Sequence, residues 1–513
     1  MNISDKMTPL KRALITIAVM TATLLQVLDT TIVNVALPHM QGSLGATPDQ
    51  ITWVLTSYLV ASAIFMPLTG YFTDRFGQKN YLLFSIGGFV LASALCGAAK
   101  NLDQLVVFRL LQGVFGAALV PLSQAIITNI FPENERGSAM ALWGMGVMIG
   151  PILGPTLGGY LTEVATWRWN FYINVPVGAV SLLLTWRVLP DTVKKARVMD
   201  WFGLMLISIA IGGCQYVLDR GNQADWFNAT DICIVALFSV ISFLLFLWYS
   251  IGRKNKTHVF NPVIFLDRNF ALCSFMLALF GLGLFGSMIL LPLMVQNLFH
   301  YPVLTTGLVM APRGISAMIS MVLVGKLIRW VDARWLMGIG TILGAIGMYF
   351  GTLYSFVLSP GWLIMPLLIQ GFGLGMVFVA LSAVAFATLP SHLRAEAAGL
   401  FSLLRTMGSS VGISIVATVL ARHTQMAWNQ LGGFINPYHP ALYTYLQNLH
   451  LDPLSPKGVM VLAHTLGAQA QMIAFVDAFA FIMWSFILML PLVFLLKRSA
   501  PSKDPAEIIP AAE

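Results

Sequence analysis

The segment Gly146–Gly159 reads GVMIGPILGPTLGG and decides the class of fold. Four of its glycines recur at every fourth position, namely Gly146, Gly150, Gly154 and Gly158. On an α-helix these four share one face, here called the glycine ridge, where a second helix backbone can approach closely, as is common in membranes. The interleaved Pro151 and Pro155 remove backbone donors and favour a bend. The segment predicts a membrane helix whose ridge is either a sliding or hinging surface or a well-packed contact.

The composition of the whole chain is that of a membrane protein. Of 513 residues, 58% are hydrophobic and 10% are charged, whereas soluble domains carry about 25% charged residues. The formal net charge of +8 does not indicate nucleic acid binding, because the basic residues lie between apolar segments. The four cysteines form no CxxC pair and have no histidine at metal-ligand spacing, so we expect neither a disulfide framework nor a metal site.

Apolar segments of about twenty residues recur along the chain, each long enough to cross a bilayer. They cover 13–37, 50–72, 80–99, 103–129, 138–161, 169–189, 201–218, 230–250, 270–293, 303–325, 335–356, 361–382, 398–421 and 474–496. With a cytoplasmic N-terminus, 21 of the 29 Lys and Arg residues fall in cytoplasmic segments and 5 fall on the opposite side. This asymmetry obeys the positive-inside rule. We therefore expect fourteen transmembrane helices and two cytoplasmic termini.

An internal repeat relates the two ends of the chain. A shift of 258 positions superposes identical residues at five places: Gln112-Gly113 on Gln370-Gly371, Pro132 on Pro390, Arg136 on Arg394, Gly150 on Gly408 and Gly154 on Gly412. Helices 1 to 6 thus repeat as helices 9 to 14 in the same orientation, as in transporters built from parallel repeats. We expect six-helix bundles at 1–190 and 269–497, two inserted helices with linkers at 191–268, and a cytoplasmic tail at 498–513.

The first helix carries Asp29 within QVLDTTIVN, residues 26–34. An ionisable group at membrane depth is costly and by default marks an ion or substrate path. Gln26, Thr30 and Asn34 lie one turn apart beside it and predict a polar face toward a cavity, which makes Gln26 and Asn34 candidates for coupling or substrate contact. Arg109 lies at a similar depth, roughly 9 Å below the outer end of helix 4 against roughly 12 Å for Asp29 in helix 1. We predict that the two pair and couple transport to protons, or that a permanent pairing only fastens the helices.

Four motifs occur in order along the chain: LDTTIVNVALP at 28–38, GYFTDRFGQK at 70–79, RLLQG at 109–113 and the glycine segment. Together they resemble the fourteen-helix drug/proton antiporter branch of the major facilitator superfamily, of the EmrB/QacA type. The resemblance covers nearly the whole chain and implies an all-α membrane protein with the major facilitator fold. It also implies transport driven by the proton gradient without a cofactor.

The same resemblance assigns roles to two sets of residues. It implies a cytoplasmic latch between the halves at Gly70, Asp74, Arg75, Gly77 and Lys79. It implies export by exchange along helix 5, through Gly146, Gly150, Pro151, Gly154, Pro155, Gly158 and Gly159. In the repeat, Ser409 and Ile413 stand where helix 5 has its prolines, so we expect helix 5 to be the specialised gate.

Three further charged residues lie within predicted spans: Arg313, Arg405 and Asp477. The two arginines are candidates for coupling or for contact with anionic substrates, or they form local pairs. Asp477 lies close to the membrane surface. The segment WRWNFYINVP at 167–176 is typical of the same branch, and we expect it to form an aromatic belt at the membrane interface, with substrate contact as the alternative.

The largest segment outside the membrane is predicted at 422–473, where turn signals at 436–440 and 452–456 punctuate short helices. Its position resembles that in exporters of the EmrB type, which reside in the bacterial inner (cytoplasmic) membrane. The resemblance implies an EmrA-like membrane-fusion adaptor and a TolC-like outer-membrane channel as partners. A solvated lid without a partner is the alternative.

The sequence contains no P-loop and no Ser/His/Asp, Cys/His or HExxH grouping, so neither direct ATP coupling nor a membrane enzyme is indicated. A channel or receptor would account for the spans but not for the antiporter motif. The sequence therefore predicts a proton antiporter that exports hydrophobic or amphipathic toxic compounds, as in multidrug efflux. The alternative is a dedicated exporter of one metabolite class, such as fatty acids or siderophores.

Overall fold

The computed structural model describes residues 8–132, 135–192, 194, 198–251, 262–356, 360–390, 393–435, 440–447, 451–452 and 455–497. We number the long helices α1 Pro9–Leu44, α2 Trp53–Phe76, α3 Gln78–Ala98, α4 Leu102–Ile130, α5 Arg136–Val164, α6 Trp169–Val188, α7 Trp201–Arg220, α8 Thr230–Ile251, α9 Arg268–Asn297, α10 Val303–Leu327, α11 Ala333–Gly351, α12 Pro360–Ala387, α13 Arg394–Gly432 and α14 Pro456–Leu495. Thirteen of them are long and apolar enough to cross a membrane, and α5 adds a further helix of 29 residues. Every predicted span therefore corresponds to a helix. Short helices lie at Pro48–Ile51 and Pro440–Gln447.

Proline marks two interruptions in these helices. α2 consists of Trp53–Phe65 and Thr69–Phe76, joined by a 3-10 turn that contains Pro67. α4 consists of Leu102–Gly116 and Leu119–Ile130, and Pro121 lies in the first turn after the break. Proline lacks a backbone donor and clashes with the preceding turn, which explains both positions. The backbone of α5 is helical throughout, and the side chains of Pro151 and Pro155 lie outside the described part.

The two ends of the chain form two six-helix bundles with matching contacts. In the first bundle, α1 packs against α5 and α6, α4 packs against α2 and α3, and α3 packs against α6. In the second bundle, α9 packs against α13 and α14, α12 packs against α10 and α11, and α11 packs against α14. Each helix pair of the second bundle corresponds to a pair of the first bundle whose helix numbers are lower by eight. The repeat in the sequence is thus present in the packing.

The bundles meet along two seams that obey the same displacement. α5 packs against α10, and α13 packs against α2 and the second part of α4. On the first seam, the Ser138 hydroxyl donates to the Gly325 carbonyl at 2.8 Å, and beside it Trp143 stacks on Phe378 of α12 at 5.9 Å between ring centroids. These contacts lie on the half of α5 that precedes the glycine ridge.

The inserted helices α7 and α8 pack against each other outside the two bundles, and α7 also contacts α2 and α13. The Gln215 amide donates to the Ser410 hydroxyl at 2.8 Å, and the Ser414 hydroxyl donates to the Leu218 carbonyl at 2.6 Å. On the side of the first bundle, the guanidinium of Arg220 lies over the ring of Trp53 in α2, 5.8 Å from its centroid. One helix thus touches both bundles near its Arg220 end.

Two helices extend far beyond the membrane. α13 has 39 residues and α14 has 40, whereas about 20 residues cross the hydrocarbon core. The prediction that turns and short helices fill residues 422–473 is wrong for much of that range. Residues 422–431 contain no proline or glycine that would end α13, so the helix continues to Gly432.

The second extension begins with a strong helix start. The Ser455 hydroxyl accepts from the Gly458 N–H at 3.0 Å, and Pro456 occupies the first turn, where its missing donor costs nothing. Trp428 lies against Gly467, so the extensions pack side by side as a helical hairpin. We call the described residues within 422–473 the outer hairpin. The predicted turn at 436–439 and the predicted tail at 498–513 lie outside the described residues.

Candidate functional site

A fully buried ion pair lies in the first bundle. Arg109 Nη1 of α4 donates to Asp29 Oδ2 of α1 at 2.6 Å, and both side chains have 0% exposure. In a low-dielectric interior such a pair is stable only when further donors and acceptors satisfy both partners. The two residues that the sequence placed at a common depth are in direct contact.

Those further partners come from three other positions. Gln112 Nε2 donates to Asp29 Oδ1 at 2.8 Å, and Asn174 Nδ2 of α6 donates to the same oxygen at 3.0 Å. Arg109 Nη1 donates to Gln112 Oε1 at 2.7 Å, and Arg109 Nε donates to the Val54 carbonyl of α2 at 3.1 Å. The carboxylate of Asp29 thus receives hydrogen bonds from α4 and α6, and the guanidinium is anchored to α2.

Aromatic rings cover the guanidinium of Arg109. Its central carbon lies 4.4 Å from the ring centroid of Tyr58 and 5.6 Å from that of Phe171. Contacts of this kind attract a cation electrostatically and exclude water. We call Asp29, Arg109, Gln112 and Asn174 the ion-pair cluster.

Part of this cluster belongs to the segment 167–176, whose predicted interfacial aromatic belt is divided, since Trp169 is 52% exposed but two other aromatic rings are buried. Trp167 is 4% exposed and Phe171 is 0% exposed, and both pack in an apolar core with α1, α2 and α3. Asn174 is 2% exposed and binds Asp29. Sequence reasoning missed Asn174 because its aromatic neighbours fit both an interface and a core. The place of Gln112 in this cluster could have been predicted, because it follows Arg109 by one helical turn.

The other polar residues of α1 point in different directions. Gln26 Oε1 accepts from the Val120 N–H at 3.1 Å, just after the break in α4, so it satisfies a backbone donor that the break leaves free. The Thr30 hydroxyl donates to the Val27 carbonyl of its own helix. Asn34 is exposed. The predicted polar face is therefore divided between an internal cap and an accessible amide.

The glycine ridge packs against α1. A Cβ atom added at Gly150 would lie 2.5 Å from Val27 Cγ1, one added at Gly158 would lie 2.8 Å from the Ile32 carbonyl oxygen, and one at Gly154 would collide with Thr31. The Thr31 hydroxyl donates to the Gly150 carbonyl at 3.1 Å. The ridge therefore contacts the helix that carries Asp29. At its two ends lie Gly146, against Met20, and the half-buried Gly159.

The motif at 70–79 has two separate contacts. A Cβ at Gly70 would lie 2.6 Å from Cβ of Glu396 in α13, so this glycine allows the second bundle to approach closely. Gly77 has φ +83°, a conformation that favours glycine. The Gln78 N–H donates to the Thr192 hydroxyl at 2.8 Å. Of the remaining latch candidates, Lys79 lies 4.0 Å from Asp191, Asp74 is half-buried and Arg75 is exposed.

The second bundle has a cluster at equivalent positions. Ser287 stands 258 positions after Asp29, and Gln370 stands 258 after Gln112. Arg313 Nη2 of α10 donates to Ser287 Oγ at 2.9 Å and to the Leu284 carbonyl at 3.3 Å, and Gln370 Nε2 donates to Ser287 Oγ at 3.1 Å. We call Arg313, Ser287 and Gln370 the arginine cluster. It has a cation and no carboxylate.

The other two charged candidates lie apart from both clusters. Arg405 of α13 is half-buried and has no side-chain partner among the described residues. Asp477 Oδ2 lies 2.7 Å from Nδ1 of His423, and both side chains are partly exposed, at 43% and 37%. Asp477 thus belongs to the base of the outer hairpin, near the surface, as the sequence indicated.

Comparison with known proteins places these sites in a family. Residues 19–413 match the family model described as Major Facilitator Superfamily. The chain is 35% identical over 446 residues to the multidrug export protein EmrB of Haemophilus influenzae, covering 86% of this chain and 87% of that protein. It is 34% identical over 495 residues to the fatty acid resistance protein FarB of Neisseria gonorrhoeae, covering 95% and 97%.

Solved structures share the fold at low identity. The human organic anion transporter MFSD10 (TETRAN) matches with a TM-score of 0.60 at 16% identity, over 94% of this chain and 100% of that chain. The proton:xylose symporter XylE matches with a TM-score of 0.58 at 14% identity, over 95% and 99%. At such identities the likeness concerns the fold alone.

Proposed function

The chain belongs to the Major Facilitator Superfamily, and from that premise we propose that it is a proton-driven antiporter that exports hydrophobic or amphipathic toxic compounds by alternating access. Its similarity to multidrug export proteins over most of both chains supports the export of such compounds. The single observation that carries proton coupling is the fully buried pair of Asp29 and Arg109. Asp29 is a titratable carboxylate at membrane depth, and its negative charge compensates the buried guanidinium of Arg109.

Protonation of Asp29 changes the balance of this cluster. A neutral carboxyl group no longer compensates the buried guanidinium of Arg109, and an unpaired buried cation costs several kcal/mol. The proton-bound state therefore favours a conformation in which Arg109 gains water or another acceptor. Loss of the proton restores the pair. Proton binding from one side and release to the other thus bias two access states in alternation.

A continuous set of contacts joins Asp29 to a seam between the bundles. Thr31 follows Asp29 by two residues and donates to the Gly150 carbonyl of α5. On its other face, α5 contacts α10 through Ser138 and Gly325. A displacement of α1 at Asp29 therefore acts on α5 directly, and α5 acts on the second bundle. In this proposal the glycine ridge is the contact that transmits the change.

The decisive experiment replaces the carboxylate. Asp29→Asn keeps the size and hydrogen-bonding capacity of the side chain but cannot take up and release a proton. We expect proton-driven uptake into inverted vesicles to fall to background, measured with a panel of amphipathic drugs and fatty acids. Asp477→Asn is the matched control, because it removes a partly exposed carboxylate bound to His423, and transport should persist. Full proton-driven transport by Asp29→Asn would refute the assignment.

The proposed setting is the bacterial inner membrane, with both termini cytoplasmic and the outer hairpin in the periplasm. The distribution of Lys and Arg supports this orientation. We propose an EmrA-like membrane-fusion adaptor and a TolC-like outer-membrane channel as partners of the outer hairpin. Large apolar side chains are exposed on this hairpin beyond the membrane: Met426, Trp428, Phe434, Ile435, Tyr443, Tyr445, Val459 and Met460. Exposed apolar groups in water are typical of a surface that another protein covers.

Deletion of residues 430–465 tests the partnership. The deletion removes the distal part of the hairpin and leaves the predicted spans intact. We expect co-purification with the adaptor to be lost, while uptake into inverted vesicles, which needs no outer-membrane channel, continues. Undiminished co-purification would refute the docking site, and a lid without a partner would then be the better description of the hairpin.

A dedicated exporter of one metabolite class is the second candidate function. The similarity to a protein named for fatty acid resistance, over 95% of this chain, favours it specifically. Both candidates share the proton cycle at Asp29. They differ in the range of substrates, which the vesicle panel measures.

A further inference from the structure

The membrane part of the second bundle has cations without matching carboxylates. Helices α9 to α14 contain two acidic residues, Glu396 and Asp477. Asp477 contacts His423, and Glu396 lies nine residues before Arg405 in α13, roughly 13 Å along the helix. Neither Arg313 nor Arg405 forms a salt bridge with any described residue.

Arg313 is held by one end of its guanidinium group. Nη2 donates to Ser287 Oγ and to the Leu284 carbonyl, which are both neutral. Nε and Nη1 have no partner in the described part of the chain, and both atoms keep some accessible surface. Arg313 therefore presents free N–H donors to accessible space inside the helical assembly, although the residue as a whole is only 7% exposed.

Arg405 lies on a strip of α13 between two packed faces. On one side, Gly408 and Gly412 pack against α9; on the other, Gly399 and Thr406 contact Met66 of α2. At 3.6 residues per turn, position 405 falls between these two faces, toward the region where the bundles meet. All three guanidinium nitrogens of Arg405 are without a described partner, and none is fully enclosed.

Both arginines adjoin the same stretch of α9. The backbone of Arg405 contacts α9 at Gly281, where an added Cβ would lie 2.6 Å from the Arg405 carbonyl oxygen. Arg313 binds α9 at Leu284 and Ser287. These positions span three to six residues, roughly 4.5–9 Å along the helix axis. An elongated molecule beside α9 can therefore approach both arginines.

We propose that Arg405 and Arg313 form a binding site for the anionic head group of an amphipathic substrate, a carboxylate above all. A planar guanidinium binds carboxylate in a forked geometry, and an uncompensated cation at membrane depth gains from a ligand that supplies the counter-charge. Among the apolar residues of this stretch of α9, Phe285 and Met288 keep partial exposure and can contact the hydrocarbon part. The site rests on the proposed export function and narrows it to anionic amphipaths over cationic ones.

A matched pair of ligands tests the charge selection directly. Dodecanoate and dodecyltrimethylammonium share a chain length and differ in the sign of the head group. Equilibrium binding of each is measured on protein in phosphatidylcholine nanodiscs. We expect Arg405→Gln to weaken dodecanoate binding at least ten-fold without weakening dodecyltrimethylammonium binding. Arg405→Lys should restore part of the affinity, because it keeps the charge but loses the fork. Arg405 is replaced first because its loss leaves no described partner unsatisfied.

A second variant and a transport arm complete the test. Arg313→Lys, which can still donate to Ser287, should weaken dodecanoate binding less than Arg405→Gln. Unchanged dodecanoate binding by Arg405→Gln, or equal weakening of both ligands, would overturn the site. If wild-type protein binds dodecanoate through Arg405 but no gradient drives its transport, the export function fails while the site stands.

Anionic lipids also carry a negatively charged head group, and a change in the lipid composition of the nanodiscs distinguishes them from a substrate. Addition of phosphatidylglycerol to the nanodiscs should reduce dodecanoate affinity only slightly. Displacement of dodecanoate by phosphatidylglycerol at equal concentration, dependent on Arg405, would assign the site to lipid and overturn its role in substrate binding.

Discussion

The ion-pair cluster and the arginine cluster occupy equivalent positions in the two bundles, and their chemistry differs. Where α1 carries Asp29, α9 carries Ser287, while glutamine stands at the equivalent places in α4 and α12. The cation comes from α4 in the first bundle, as Arg109, and from α10 in the second, as Arg313. The duplication thus preserved the helix contacts and one amide. It left a neutralised, protonatable pair on one side and a cation bound to neutral acceptors on the other.

The same helix arrangement thus carries two polar clusters that suit different tasks. A carboxylate with three donors stores a charge that a proton can remove, which suits coupling. A guanidinium with free N–H groups lacks a counter-charge that a ligand can bring, which suits recognition. Each cluster can be altered with little direct effect on the other, because they lie in separate bundles.

The largest difference in stability between the two clusters is expected when each arginine is replaced. Arg109→Met leaves the Asp29 charge buried and unpaired, so we expect a loss of about 3–5 kcal/mol of stability and no transport. Arg313→Met removes a cation that binds only neutral groups, and stability should change by about 1 kcal/mol or less. Thermal unfolding in detergent measures both. Equal destabilisation by the two variants would show that the clusters are not electrostatically distinct.

The glycine contacts offer a second test of the two bundles. A Cβ at Gly408 would collide with the Ala278 carbonyl oxygen and approach its Cα to 2.6 Å, whereas one at Gly150 would lie 2.5 Å from Cγ1 of Val27 and 2.9 Å from its backbone carbonyl carbon. The backbone of the facing helix is closer at Gly408, so Gly408→Ala should cost about 1–3 kcal/mol and Gly150→Ala less. Gly42→Ala is the control, since nothing lies within 4 Å of its added Cβ. Greater destabilisation by Gly150→Ala would reverse the interpretation.

The smallest effect is expected from the amide that α6 contributes to the ion-pair cluster. Asn174→Ala removes one donor from Asp29 and leaves two, which corresponds to about 1 kcal/mol. We expect the proton-driven exchange rate to fall several-fold, without the complete loss expected for Asp29→Asn. Asn170→Ala is the matched control, because that amide binds Thr162 at 2.9 Å and not Asp29. A complete loss of exchange in Asn174→Ala would give the amide an essential role.

Much of the fold was predictable because membrane helices are set by local composition. The number of spans, the repeat and the close contact of the glycine ridge all follow from patterns along one chain. The meeting of Asp29 and Arg109 followed from depth, which helical rise converts into distance. The contact of Asn174 with Asp29 could not be predicted, because depth in the membrane does not reveal which helices face each other.

The outer hairpin shows a second limit of the sequence. Hydropathy marks where the bilayer ends but not where a helix ends. The ten residues 422–431 are polar enough to be assigned to a loop, yet they lack a residue that stops helical hydrogen bonding. Packing between Trp428 and Gly467 then stabilises the extensions on each other, a contact between residues 39 positions apart.

The contacts of α7 have a mechanical consequence. Because this helix contacts α2 through Arg220 and Trp53 and bonds to α13 through Ser410 and Ser414, separation of α2 from α13 at that level must break one set of contacts. Each buried polar group left without a partner costs about 1–3 kcal/mol. The inserted pair therefore raises the free-energy cost of opening along this seam. No described contact of α7 bridges α5 and α10, so opening along that seam breaks none of these bonds. The two seams of the transporter therefore differ in the free-energy cost of opening.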